Sequence, residues 1–139
     1  MMKRLLFLFG LVFLMNACSM DDDSINYHYE ILPVDSFELP ESFVFGQTYP
    51  IKIYYKRPTT CHGFDGFYYD SHMNTRTIAI QSIVMNQSNC LEISAEEPSL
   101  EATLNFNVVY NETYLFRFYK GKDENGEDIF EEVEVPVTD

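Results

Sequence analysis

The strongest constraint on what this chain can fold into is a two-residue alternation of apolar and polar side chains. In Thr48–Arg57, TYPIKIYYKR, Tyr49, Ile51, Ile53 and Tyr55 share one parity, and Pro50, Lys52, Tyr54 and Lys56 share the other. Successive side chains of a β-strand point to opposite faces, so such a segment has one face for a core and one for water. Leu100–Val108 repeats the pattern, with Leu100, Ala102, Leu104, Phe106 and Val108 set against Glu101, Thr103, Asn105 and Asn107. Tyr114, Phe116 and Phe118 oppose Leu115, Arg117 and Tyr119, and Ile129, Val133, Val135 and Val137 form a face interrupted by Glu131. Between these last two segments, Asn125-Gly126 marks a hairpin turn, because both residues tolerate positive φ. Shorter strands are expected at Tyr27–Leu32, Ser36–Leu39, Gly66–Asp70 and Arg76–Met85.

Seven or eight short strands punctuated by Gly, Pro and Asn predict an all-β fold, an antiparallel two-sheet sandwich, because a sheet with one apolar face must cover it. Across Phe37–Val137 the order of segments resembles immunoglobulin-like domains. The features that carry the likeness are a proline-broken first strand, the GQTYPIKIYYK strand after a turn, a closing long hairpin, and Asn111-Glu112-Thr113-Tyr114 at the corner entering the penultimate strand. A hydrophobic fraction of 46% with 16% aromatic residues is too rich for disorder, and the length suits one domain.

Ahead of this body lies a different kind of segment. Lys3 and Arg4 precede an uncharged stretch, Leu5–Met15, that stops after eleven residues. A spanning helix needs about 20 apolar residues, so the pattern predicts a cleaved signal helix instead. Leu14-Met15-Asn16-Ala17-Cys18 resembles the lipobox of bacterial lipoproteins, with Ala17 as the small residue before the cut and Cys18 as the lipidated cysteine. Met15 and Asn16 depart from the usual lipobox residues, and plain secretion is the alternative. Ser19-Met20-Asp21-Asp22-Asp23 is similar to the acidic export signal of Bacteroidota-type lipoproteins. The expected organisation is a signal peptide at 1–17, the lipidated Cys18 with an acidic tether at 18–26, and a β-sandwich domain at 27–139. The expected location is the outer membrane, lipid-anchored and at the cell surface, with a periplasm-facing anchor as the alternative.

Removing the first 17 of 139 residues takes Lys3 and Arg4 from the nine basic residues, leaving seven against 22 acidic ones, a formal charge of −15. Nucleic-acid binding needs a basic face that releases counterions from phosphates, so no nucleic-acid partner is expected. A polybasic grip on anionic lipid is excluded on the same ground, which leaves the N-terminal lipid as the contact with the membrane.

With Cys18 taken by lipid, Cys61 and Cys90 form an even pair in an oxidising compartment and are expected to be disulfide-bonded. The densest polar cluster is CHGFDGFYYDSH, residues 61–72. His62, Asp65, Asp70 and His72 are ligand types for a divalent metal, but their spacing fits no metal motif, and the expectation is turns and loops beside an aromatic core, with no cofactor. Asp123, Asn125 and Asp128 lack the twelve-residue ligand pattern of a calcium loop and read as a solvated turn. No G-x-S-x-G elbow, P-loop, GxGxxG or HExxH occurs, so no catalytic residues are assigned and no enzyme is expected. Tyr54, Tyr68 or Tyr69, and Tyr119 are candidates for a binding face. The leading expectation is a non-catalytic envelope lipoprotein acting as a binding or scaffold module for a protein or glycan. The alternatives are a small metal-binding protein using residues 62–72 and a small hydrolase or inhibitor.

Overall fold

The computed structural model describes residues 26–139. The signal peptide at 1–17, Cys18 and the acidic tether up to residue 25 lie outside them. The described residues fold into β-strands alone: β1 (Tyr27–Leu32), β2 (Ser36–Glu38), β3 (Phe43–Val44), β4 (Thr48–Tyr55), β5 (His62–His72), β6 (Thr75–Met85), β7 (Leu100–Asn107), β8 (Tyr114–Lys122), β9 (Asp128–Val135) and β10 (Val137–Thr138). A five-stranded sheet joins β1, β5, β6, β8 and β9, a three-stranded sheet runs β2-β4-β7, and β3 pairs with β10. The arrangement is compatible with a β-sandwich.

Strand β6 organises the larger sheet. One flank pairs with β5 along nearly its whole length. The other flank pairs with β1 from Ile80 to Met85 and with β8 from Thr75 to Ile78, so β1 and β8 meet end to end beside it. After Leu32 the chain leaves β6 at Pro33, which has no N–H to offer a ladder, and Ser36–Glu38 pairs with β4 in the other sheet. The crossing is tied down by the Val34 N–H donating to Tyr119 O at 2.8 Å.

Two pairings depart from the antiparallel expectation, since β6 with β8 and β3 with β10 both run parallel. An antiparallel partner needs only a hairpin, whereas a parallel one needs a crossover. Here the crossover is the passage through β7 in the opposite sheet before the chain returns as β8. Strand β5 is also longer than expected, reaching from His62 to His72 through a bulge at Asp65, with Gly66 at φ +124°. Ile129 falls at the hairpin tip and is left 43% exposed, so only Val133, Val135 and Val137 of its expected face pack on the core.

The alternations converge on one apolar cluster between the sheets. Ile51 and Ile53 from β4, Ile78 and Ile80 from β6, Phe106 from β7, and Tyr114, Phe116 and Phe118 from β8 are all buried in it. Phe43 sits among them, its ring within 6 Å of the rings of Tyr49, Phe106, Tyr114 and Phe116. Each fully buried side chain of this size contributes roughly 1.5–3 kcal/mol. Cys61 and Cys90 are bonded, with Cα atoms 5.4 Å apart. The bridge pins the connection after β6 to the β4–β5 corner, where Thr59 and Glu92 also pair. Closing a loop of 29 residues in sequence contributes about 3–4 kcal/mol in the chain-entropy model.

Tyr114 carries a second duty. Its ring is fully buried, and its hydroxyl accepts the backbone N–H of Val109 at 3.0 Å and of Tyr110 at 2.9 Å. This locks the corner that leads from β7 into β8. Tyr114→Phe keeps the ring but strands both donors, and the expected cost is about 1–3 kcal/mol. Urea unfolding should show a lower midpoint with an unchanged slope; an unmoved midpoint would mean that the corner stands without the hydroxyl.

Candidate functional site

The outer face of the five-stranded sheet, away from the core, carries a groove of about 590 Å³. Its shape follows from side-chain size at paired positions. On the central strand β6 the outward residues Thr77 and Ala79 are small. Tyr68 and Asp70 on β5 stand opposite Ala79 and Thr77, and Arg117 on β8 stands opposite Thr77 from the other flank. Tyr119 on β8 faces Phe130 on β9 across the next pair, their ring centroids 6.0 Å apart. A low central strand between tall neighbours makes a trough.

A bulge completes the wall. Between Tyr119 and Gly121 the β8–β9 register slips by one residue, with Gly121 at φ +109°. Without the slip, alternation would send Lys122 to the face opposite Tyr119. With it, Lys122 pairs with Asp128, and both line the groove with Tyr119 and Phe130. Bulges commonly re-aim a side chain in this way.

The charges along the groove are partly committed. The Arg117 guanidinium lies 4.1 Å over the centre of the Phe130 ring, and its Nε donates to Glu132 Oε1 at 3.1 Å. Lys122 Nζ donates to Asp128 Oδ1 at 2.6 Å, and that hydrogen bond to a carboxylate holds the lysine above its ordinary pKa. The Asp70 carboxylate, the Thr77 hydroxyl and the Tyr68 and Tyr119 hydroxyls make no hydrogen bond to any described residue. They remain open to a ligand.

The structure thus brings together Tyr68, Tyr119, Asp70 and Asp128 from the residues singled out in the sequence, and separates the others. Tyr69 points to the opposite face of β5. Tyr54 lies in the other sheet, its hydroxyl donating to Glu38 at 3.0 Å; that bond to a carboxylate, with some burial, pushes its pKa up to about 12. Phe130, Arg117 and Lys122 were not apparent from the sequence, nor was the place of Asp128 beside them, because their convergence depends on a parallel pairing and a bulge.

The four metal-ligand types of residues 62–72 do not converge. His62 and His72 sit at opposite ends of β5, roughly 30 Å apart at about 3.3 Å per residue. Asp65 accepts a hydrogen bond from Gln81, Asp70 belongs to the groove, and His62 turns inward. Among the described residues, no group of three or more His, Cys, Asp or Glu is placed to hold a metal ion. In the closing hairpin, Asp123 Oδ1 accepts the N–H groups of Asn125 and Glu127, so that carboxylate caps the turn.

His62 belongs instead to a hydrogen-bonded chain at one end of the larger sheet. Its ring is 6% exposed, with Nδ1 2.8 Å from Thr59 Oγ1 and Nε2 2.8 Å from Glu30 Oε2. The other carboxylate oxygen of Glu30 meets His28 Nε2 at 3.0 Å, and His28 Nδ1 meets Asn86 Oδ1 at 2.7 Å. Thr59 Oγ1 also accepts the Cys61 N–H, and the Glu30 carboxylate, an acceptor only, takes the His62 Nε2–H. His28 faces an acceptor at each nitrogen, which suits the doubly protonated ring. Hydroxyl, imidazole and carboxylate in a row are the components of an activated nucleophile. Neither Thr59 nor His62 lines the groove, and the row serves as a brace joining β1, the β4–β5 corner and the end of β6.

The brace gives a signed pH dependence. The hydrogen bond to Glu30, followed by that to Asn86, raises the His28 pKa above 6.5, and the hydrogen bonds to His28 and then His62 lower that of Glu30 below 4.5. A raised imidazole pKa stabilises the fold fully below about pH 6.5 and is lost as pH climbs through the folded value. A lowered carboxyl pKa stabilises it fully above about pH 4.5 and is lost as pH falls through the folded value. Both contributions coexist between those limits. The difference in urea midpoint between the native chain and Glu30→Gln should peak there and shrink on either side; a difference independent of pH would show that the brace carries no charge.

No known protein family, no curated protein and no solved structure matches this chain.

Proposed function

We propose that this chain is a non-catalytic, lipid-anchored protein of the outer membrane, displayed at the cell surface, whose immunoglobulin-like β-sandwich binds a neutral glycan in the outer-face groove. The groove carries this reading. Ligand sites are concave, largely apolar and furnished with a few polar groups that fix orientation. Tyr68, Tyr119 and Phe130 offer ring faces to the C–H faces of a sugar, while Asp70, Thr77 and the two phenols offer hydrogen bonds to its hydroxyls. The cations beside them are matched by Asp128 and Glu132, so among the described residues the groove offers no free cation to an anionic ligand. Display outside the cytoplasm accords with the Cys61–Cys90 bridge, since such bonds persist where conditions are oxidising.

Binding is tested by screening the full chain against a panel of immobilised glycans. Tyr68→Ala and Tyr119→Ala should each weaken the retained ligand about tenfold, a hot-spot loss near 1.4 kcal/mol. Tyr54→Ala, in the opposite sheet, should leave it unchanged. A panel with no ligand, or one whose ligand ignores both groove variants, would end the reading. The anchor is tested separately: radiolabelled palmitate should enter the protein and be excluded by Cys18→Ser, and equal labelling of that variant would remove the lipid from Cys18.

A further inference from the structure

A second concavity lies between the two sheets, at a seam unrelated to the groove. Among the described residues, strand β5 pairs only with β6 and β7 only with β4, so each leaves one edge unpaired by them. Between them opens a recess of about 360 Å³ that Tyr69 and Ser71 line from β5 and Asn105, Phe106 and Asn107 from β7. Arg76 of β6 also lines it, at only 3% exposure. Alternation along β6 places Arg76 on the parity of Ile78 and Ile80, where an apolar side chain is the rule.

The guanidinium is buried without a carboxylate partner among the described residues. Its Nη1 donates to Met73 O at 2.7 Å and Thr75 O at 2.9 Å, and its carbon lies 5.1 Å from the Tyr114 ring centre and 5.6 Å from that of Tyr110. It makes no ion pair with an Asp or Glu among the described residues, although the chain carries 22 of them. Buried charges are normally paired, and the guanidinium fork has five N–H donors. The lining holds further groups able to donate. Asn107 Oδ1 is taken by the Thr48 hydroxyl, leaving its NH₂ free to donate, and the hydroxyls of Ser71 and Tyr69 flank it. Burial raises the Tyr69 pKa while the charge of Arg76 opposes the rise. No carboxylate among the described residues lines the recess, and Phe106 supplies an apolar wall.

We propose that this recess is a binding site for a small organic carboxylate, held on the Arg76 fork with its apolar body against Phe106. A planar carboxylate matches a guanidinium bidentately, the strongest arrangement that fork makes. The proposal does not depend on the glycan reading, because the two concavities share no residue.

The test is a titration of the ¹⁵N-labelled full chain with benzoate, and with acetate and inorganic phosphate as separate arms. Benzoate should bind saturably, shift the signals of Ser71, Asn107 and the Arg76 Nε–H, and bind more tightly than acetate, with phosphate failing to compete. Arg76→Gln should weaken benzoate at least about tenfold, the loss expected for a charge-assisted hydrogen bond. Ser71→Tyr, an exposed position that fills the mouth and spares Arg76, should weaken it likewise and decides the matter if Arg76→Gln does not fold. Absence of saturable shifts, shifts that survive Ser71→Tyr, or phosphate competing as well as benzoate would each overturn the proposal.

Discussion

Strand β6 is the constraint on which the rest of the structure depends. A strand has two edges, and β6 fills them with three partners, β5 on one side and β1 and β8 in succession on the other. Its residues are therefore held at both edges, and the two-residue period fixes which face each one meets. Ile78 and Ile80 go to the core, Thr77 and Ala79 go out, and Arg76 goes in where an aliphatic residue would have been simpler. The groove floor and the charged recess are thus consequences of one strand read in two parities. Neither would exist if the register slipped by one residue, since such a slip exchanges the faces.

Much of this was legible in the chain. Tyr27–Leu32 and Thr48–Tyr55 are strands because their alternation is local information, and the Asn125-Gly126 turn is equally local, Gly126 adopting φ +81°. Cys61 and Cys90 were legible as an even pair once Cys18 was set aside as the expected lipidation site. The parallel alignment of β8 on β6 was not, because it is set by how the chain returns from the other sheet rather than by any residue within β8. The site shows the same division. Tyr68 and Tyr119 announce themselves as outward aromatics, but the bulge before Gly121, which brings Lys122 and Asp128 beside them, leaves only a glycine as its signal. Asp70 was recognised as a chemically capable side chain among the ligand types of residues 62–72, but spacing along β5 says nothing about what stands on the neighbouring strand.

Arg76 illustrates how a core admits polarity. The cluster around Phe43 and Tyr114 excludes water, and Tyr114 is tolerated there because its hydroxyl finds two N–H groups. Ser82 is likewise buried with its hydroxyl bonded to Gly63 O. Arg76 stands at the margin of that cluster, half satisfied by carbonyls and half by aromatic faces. The margin, not the middle, is where this core admits a charge with no carboxylate of the described residues beside it.

The brace at the other end of the sheet bears on mechanics. The chain enters the described fold at Asn26, whose carbonyl accepts the Asn86 N–H, and continues as β1 through six antiparallel pairs with β6. Tension arriving at Asn26 along the strand axis would load those six pairs together in shear rather than peel them one by one. The Glu30 carboxylate, held from two sides by imidazoles, lies midway along the loaded segment. A pull on Asn26 along the strand axis would thus meet six backbone pairs at once, whereas Val137 and Thr138 present a ladder of two.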